Sequence, residues 1–203
     1  MKLISSFIVL MFVSGIAIAK DSKNWQTSEH NFNIKSGKWG LNVRTYNNDD
    51  YDHVEGSYKL GNGFTAALRY AEDGTNTEIR PKLSHKVWSN DNFAIGHRLE
   101  YRYFEGTKDD KWRYRAIVGL KAGGAWIKVQ PRWTFGGGTT GDTNVDDVKW
   151  QSGYDFTLAK TDTNKVTFTP YVEYLTTGYD PDAEGTNWDK KHVILGTNFT
   201  VKF

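Results

Sequence analysis

From residue 77 to residue 135 the chain alternates between two chemistries with a period of two, in four runs separated by SNDN, GTKDD and AGG. Successive side chains of a strand point to opposite faces, so parity assigns each residue to a face. The first run sets Ile79, Pro81, Leu83, His85 and Val87 against Glu78, Arg80, Lys82, Ser84 and Lys86. The second sets Phe93, Ile95, His97, Leu99, Tyr101 and Tyr103 against Arg98, Glu100 and Arg102. The third sets Trp112, Tyr114, Ala116, Val118 and Leu120 against Lys111, Arg113, Arg115 and Lys121. The fourth sets Ala125, Ile127, Val129, Pro131, Trp133 and Phe135 against Lys128, Gln130 and Arg132. One face is apolar and aromatic. The other is charged and nearly all of one sign, which is unusual for a plain solvent face.

Strands at 38–46, 53–60 and 64–71 precede these four, and strands at 146–158, 165–175 and 192–203 follow, for ten in all. Residues 20–37 read as a polar lead, with a short alternation at Phe32 and Ile34. The connections GNG, SNDN, AGG and TDTN are tight, whereas NNDDYD, EDGTN, GTKDD, GGGTTGDTN and the loop around Pro181 are longer and more acidic. Bacterial transmembrane barrels have an even strand number, short periplasmic turns and longer outer loops. The expected fold is therefore an all-β, antiparallel up-and-down transmembrane β-barrel with both termini periplasmic. Ten strands are counted, and twelve become possible if residues 30–35 join a further hairpin. Pro81, Pro131 and Pro170 lie on the apolar face and predict bulges, because proline cannot donate to a ladder.

Composition sharpens this picture. The mean hydropathy is −0.63, yet 15% of the chain is aromatic, with 8 Trp, 11 Tyr and 11 Phe. A barrel in lipid gives this combination, since only alternate residues touch the bilayer. After the first residues no apolar run is long enough for a transmembrane helix. The absence of cysteine excludes a disulfide framework. Residues 1–19 carry Lys2, an apolar run and Ala17-Ile18-Ala19 before Lys20, the pattern of a cleaved signal peptide. The organisation read here is a signal peptide at 1–19, a lead at 20–37 and a barrel at 38–203. The ending HVILGTNFTVKF, closing on Phe203, resembles the terminal strand of bacterial outer-membrane barrels. The expected location is the Gram-negative outer membrane, in contact with its lipid and lipopolysaccharide.

If the aromatic face meets lipid, the charged face lines the lumen, because a charge at the bilayer midplane costs about 2–4 kcal/mol. All eight arginines share the inward parity: Arg44, Arg69, Arg80, Arg98, Arg102, Arg113, Arg115 and Arg132. Together with Lys82, Lys86 and Lys128 they are the candidate pore-lining, substrate-binding residues. Acids on those strands are few, chiefly Glu78 and Glu100. Two readings stay open. The arginines pair with lumen carboxylates and plug a small barrel, or unpaired guanidinium forks select acidic solutes. His85 and His97 fall on the outer face by parity, which places them near its rim or neutral.

KWGLNVRTY, HVEGSYKLGNGFTAALRY, FTPYVEY, the inward arginine strands and the Phe-terminated last hairpin resemble the oligogalacturonate-specific porin (KdgM) family. The resemblance implies a monomeric barrel with facing basic tracks for acidic oligosaccharides, in which Arg69, Arg80, Arg98, Arg102, Arg113, Arg115 and Arg132 would form the tracks. Family members have twelve strands, two more than are counted here. No cofactor or metal is called for. The acidic loops around Asp49 and Asp180 carry oxygen ligands, but the second has Lys191 where a calcium loop needs glutamate. No Ser/His/Asp set stands out, Ser57 near His53 being a coincidence of spacing, so no enzyme is expected. Basic residues that face a lumen argue against nucleic-acid binding.

Overall fold

The structure, a computed structural model, describes residues 27–47, 51–73, 76–106, 110–136, 147–177 and 193–203. All its regular elements are strands: β1 (Thr27–Ser36), β2 (Trp39–Asn47), β3 (Tyr51–Gly61), β4 (Phe64–Asp73), β5 (Asn76–Ser89) and β6 (Phe93–Glu105). There follow β7 (Lys111–Ala122), β8 (Ala125–Phe135), β9 (Asp147–Tyr154), β10 (Phe156–Lys160), β11 (Lys165–Thr177) and β12 (Val193–Lys202). Each strand from β1 to β8 pairs antiparallel with the next, and β11 pairs with β9, β10 and β12. The sheet closes where β12 meets β1.

The closure corrects the strand count and adds two further features. First, Thr27–Ser36 is not lead but a complete strand, paired along its length with both β2 and β12. Second, β9 and β10 act as one interrupted strand: Gly153 opposes Tyr171 and Phe156 opposes Phe168 in a single register on β11. The break at Asp155 lies beside Pro170, which has no N–H to give. The barrel thus has eleven strand positions, and with an odd number the first and last strands must run the same way. β1 and β12 do pair in parallel, Ile34 opposite Val201. Third, the described ends of the chain do not share a rim. Thr27 stands at the rim of the long loops, beside Ile194, while Phe203 N donates to Lys35 O at the rim of the tight turns.

The prolines also behave differently from the expectation. The ladders skip pairs near Pro81 and Pro131 without changing register. The shifts fall instead at Lys59/Gly61, Lys86/Trp88 and Thr157/Ala159. A proline removes one donor, and here that costs a hydrogen bond without forcing an extra residue. The tight Gly61-Asn62-Gly63 turn forms as read, with all three residues at positive φ.

The barrel is apolar outside and polar inside. Among the described residues only four hydrophobic side chains are buried: Ala71, Phe104, Tyr171 and Val201. Fourteen polar or charged side chains are buried, and Glu29, Glu78 and Glu100 have no exposed surface at all. Val54, Leu68, Leu83, Leu99, Val172 and Leu195 form a half-exposed aliphatic band around the outside. Aromatic side chains flank the band. Trp39 with Tyr58 (4.6 Å), Trp88 with Phe93 (5.6 Å) and Tyr154 with Phe156 (4.7 Å) lie towards the tight turns. Tyr101 with Trp112 (4.8 Å), Tyr103, Phe135 and Trp150 lie towards the loops. His85 and His97 face outwards, with Phe64 stacked on His85 at 4.1 Å near the tight-turn end.

Candidate functional site: a basic lumen

Strand register sets the inward side chains in lateral rows. Ser84, Arg98, Arg115, Arg132 and Asp147 oppose one another in turn on β5 to β9. The next row holds Lys82, Glu100, Arg113 and Thr134, and Glu55, Arg69 and Arg80 share a third. Like charges placed directly opposite repel, so three arginines side by side need anions nearby. Glu100 supplies one to Arg98 and Arg115, and Asp147 one to Arg132.

Glu100 meets Arg115 Nε at 3.0 Å and lies 3.6 Å from both Arg80 Nη1 and Arg98 Nη1. Glu78 accepts from Arg80 Nη2 at 2.7 Å and from Arg102 Nε and Nη2 at 3.0 and 2.9 Å. Glu55 holds Arg69 Nε at 2.8 Å and Lys82 Nζ at 2.6 Å. Arg44 pairs with Glu29 (3.1 Å), Lys149 with Glu173 (2.5 Å), and Arg132 with Asp147. Each carboxylate fixes one or more long, flexible cations. Among the described residues Arg113, Lys86 and Lys128 pair with no carboxylate. The buried Arg113 Nε has no acceptor.

These side chains leave a lumen cavity of about 480 Å³, a volume within the range of small-molecule sites. Eight of the eleven candidate residues line it: Arg44, Arg69, Arg80, Arg98, Arg113, Arg115, Lys128 and Arg132. Lys82 and Arg102 do not, being turned to Glu55 and Glu78. Lys86 is exposed towards the tight-turn rim, where its N donates to Gly63 O. Lys35, on the strand read as lead, and Lys149 were not among the candidates. Both line the cavity, bringing its cations to ten against two acids, Glu55 and Glu173. Glu78 and Glu100 do not reach it. The acids sit beneath the arginines, and the cavity meets the guanidinium groups.

The wall made by β12, β1 and β2 carries amide side chains beside Glu29, Lys35 and Arg44. Asn33 donates to Asn198, Asn42 donates to Asn33 Oδ1 (3.0 Å), and His53 Nε2 meets Asn42 Oδ1 (3.1 Å). The amide positions had no signal beyond parity, because their value lies in a cross-strand chain that only the register creates. Ser57 Oγ donates to Gly40 O (3.4 Å), so Ser57 and His53 have separate partners. The loop positions considered for calcium, around Asp49 and Asp180, lie outside the described residues. No group of three or more His, Asp or Glu side chains suited to a metal occurs among the described residues.

No protein-family model matches this chain, and no curated protein is recognisably similar to it.

Proposed function

We propose that the protein is an outer-membrane channel through which small acidic oligosaccharides, such as uronate oligomers, diffuse down their gradient. The observation that carries this reading is the make-up of the cavity, with ten cations and two carboxylates on its surface and Glu78 and Glu100 buried behind the arginines. Fixed guanidinium forks pair with carboxylates in a planar, two-point geometry. Several such forks along one wall pass an acidic chain from one to the next, each holding it weakly enough to release it. The aliphatic outer band between aromatic flanks suits a bilayer, and the resemblance to the oligogalacturonate-specific porin family points the same way.

The extent of ion pairing favours a second reading, a closed barrel whose role lies in its outer loops. Liposome swelling separates the two. Proteoliposomes should swell faster in trigalacturonate than in maltotriose, a neutral sugar of similar size. Equal rates would refute charge selection, and no swelling in either would favour the closed barrel.

A further inference from the structure

One lateral row of the lumen alternates aromatic residues with glycine. Trp126 on β8 opposes Gly153 on β9, Gly153 opposes Tyr171 on β11, and Tyr171 opposes Gly196 on β12. A Cβ at Gly153 would come within 2.8 Å of the Trp126 ring, and one at Gly196 would run into the Tyr171 ring. The rings therefore lie over the glycines, against the wall. Their centroids are 6.3 Å apart.

Both rings are pinned at their polar ends. Trp126 Nε1 donates to Asp155 Oδ1 at 3.1 Å, the Tyr171 hydroxyl donates to Glu29, and Asn31 Nδ2 donates to the Tyr171 oxygen at 2.6 Å. Trp126 and Tyr171 line the same cavity as the arginines. Lys128 Nζ stands 5.5 Å from the Trp126 ring centre.

We infer that Trp126, with Tyr171 beside it, is a stacking shelf for the ring of a sugar acid, and that it selects cyclic acids over open-chain or inorganic anions. This rests on the channel reading above and deepens it. The face of an aromatic ring carries the negative end of its quadrupole and gives nothing to a bare anion. It does suit the C–H face of a pyranose, whose carboxylate then reaches Lys128, which stands over the indole. Glycines that let the rings lie along the wall leave the lumen open, whereas rings standing upright would fill it.

The test compares two trianions as blockers of single-channel current, trigalacturonate with three sugar rings and citrate with none. In the unaltered channel trigalacturonate should block more tightly. Trp126→Leu should lower its advantage over citrate by about fivefold, the size of an aromatic contact, and Trp126→Phe should restore most of it. A leucine variant that shifts both blockers equally would show the ring only filling space and overturn the shelf. Equal block of the unaltered channel by the two trianions overturns it even if no variant folds, while chloride selectivity in that same channel would leave the basic-lumen reading standing. A barrel that conducts nothing removes both.

Discussion

Two neighbouring residues of the basic wall divide its labour, and they should respond to mutation in opposite ways. Glu100 has no exposed surface and touches Arg80, Arg98 and Arg115. Removing its charge leaves Arg98 and Arg115 facing each other without compensation, and breaking a buried pair costs about 3–5 kcal/mol. Glu100→Gln should lower the temperature at which the folded barrel gives way on a heated electrophoresis gel. Arg113 lies directly opposite it on β7 but pairs with no carboxylate among the described residues. Arg113→Gln should keep that temperature or raise it, while weakening oligouronate block by about 1.5–3 kcal/mol, the worth of a hydrogen bond to a charged group. A destabilised Arg113→Gln barrel with full block would reverse these assignments. At this scale parity identified the arginines but not their partners. Arg102 is held by Glu78 from the adjacent strand and Lys82 by Glu55 from two strands away, and only register brings those pairs together.

At the scale of elements, β1 was the hardest strand to see. Its inward positions Glu29, Asn31, Asn33 and Lys35 are all polar, and only Phe32 and Ile34 mark its outer face, so its alternation is faint. Its partners reveal it, because Asn31, Asn33 and Glu29 are satisfied by Arg44, Asn198 and Tyr171. The strongly patterned β5 to β8 were legible because each carries at least four apolar residues at alternate positions, with cations among the residues between them. The parallel seam is directly testable, since the chain has no cysteine of its own. Ile34→Cys combined with Val201→Cys places two thiols opposite each other, at a strand spacing a disulfide can bridge. Oxidation should close the barrel covalently and change its mobility on a non-reducing gel. Failure to cross-link, while control pairs across β6 and β7 do so, would contradict the seam. The aromatic–glycine row makes a second prediction. Gly196→Ala pushes on a Tyr171 ring held by Asn31 and Glu29, and overpacking of this kind costs about 1–3 kcal/mol. Unchanged heat resistance would mean that the ring swings away freely.

For the molecule as a whole, the alternation fixed which face is apolar, but the number of strands depended on one weak signal. The strand from 27 to 36 was hidden by its polarity. The interruption at Asp155 follows from Pro170 on a neighbouring strand and not from its own sequence. The hidden strand alone turns an expected even barrel into an odd one and places the described start of the chain at the loop rim. The larger perimeter matters for function, because an eight-stranded barrel is filled by its side chains, whereas here about 480 Å³ stays open. Charge is distributed on the same scale, with most of the cavity's cations on β4 to β8 and a chain of amides beside Lys35 and Arg44 on β12, β1 and β2. The most direct test of this arrangement is the current through single refolded barrels in a planar bilayer, under a potassium chloride gradient and with trigalacturonate added to one side. The account predicts an anion-selective reversal potential and a current interrupted by the oligomer. A cation-selective current, or a correctly folded barrel that stays silent, would contradict it.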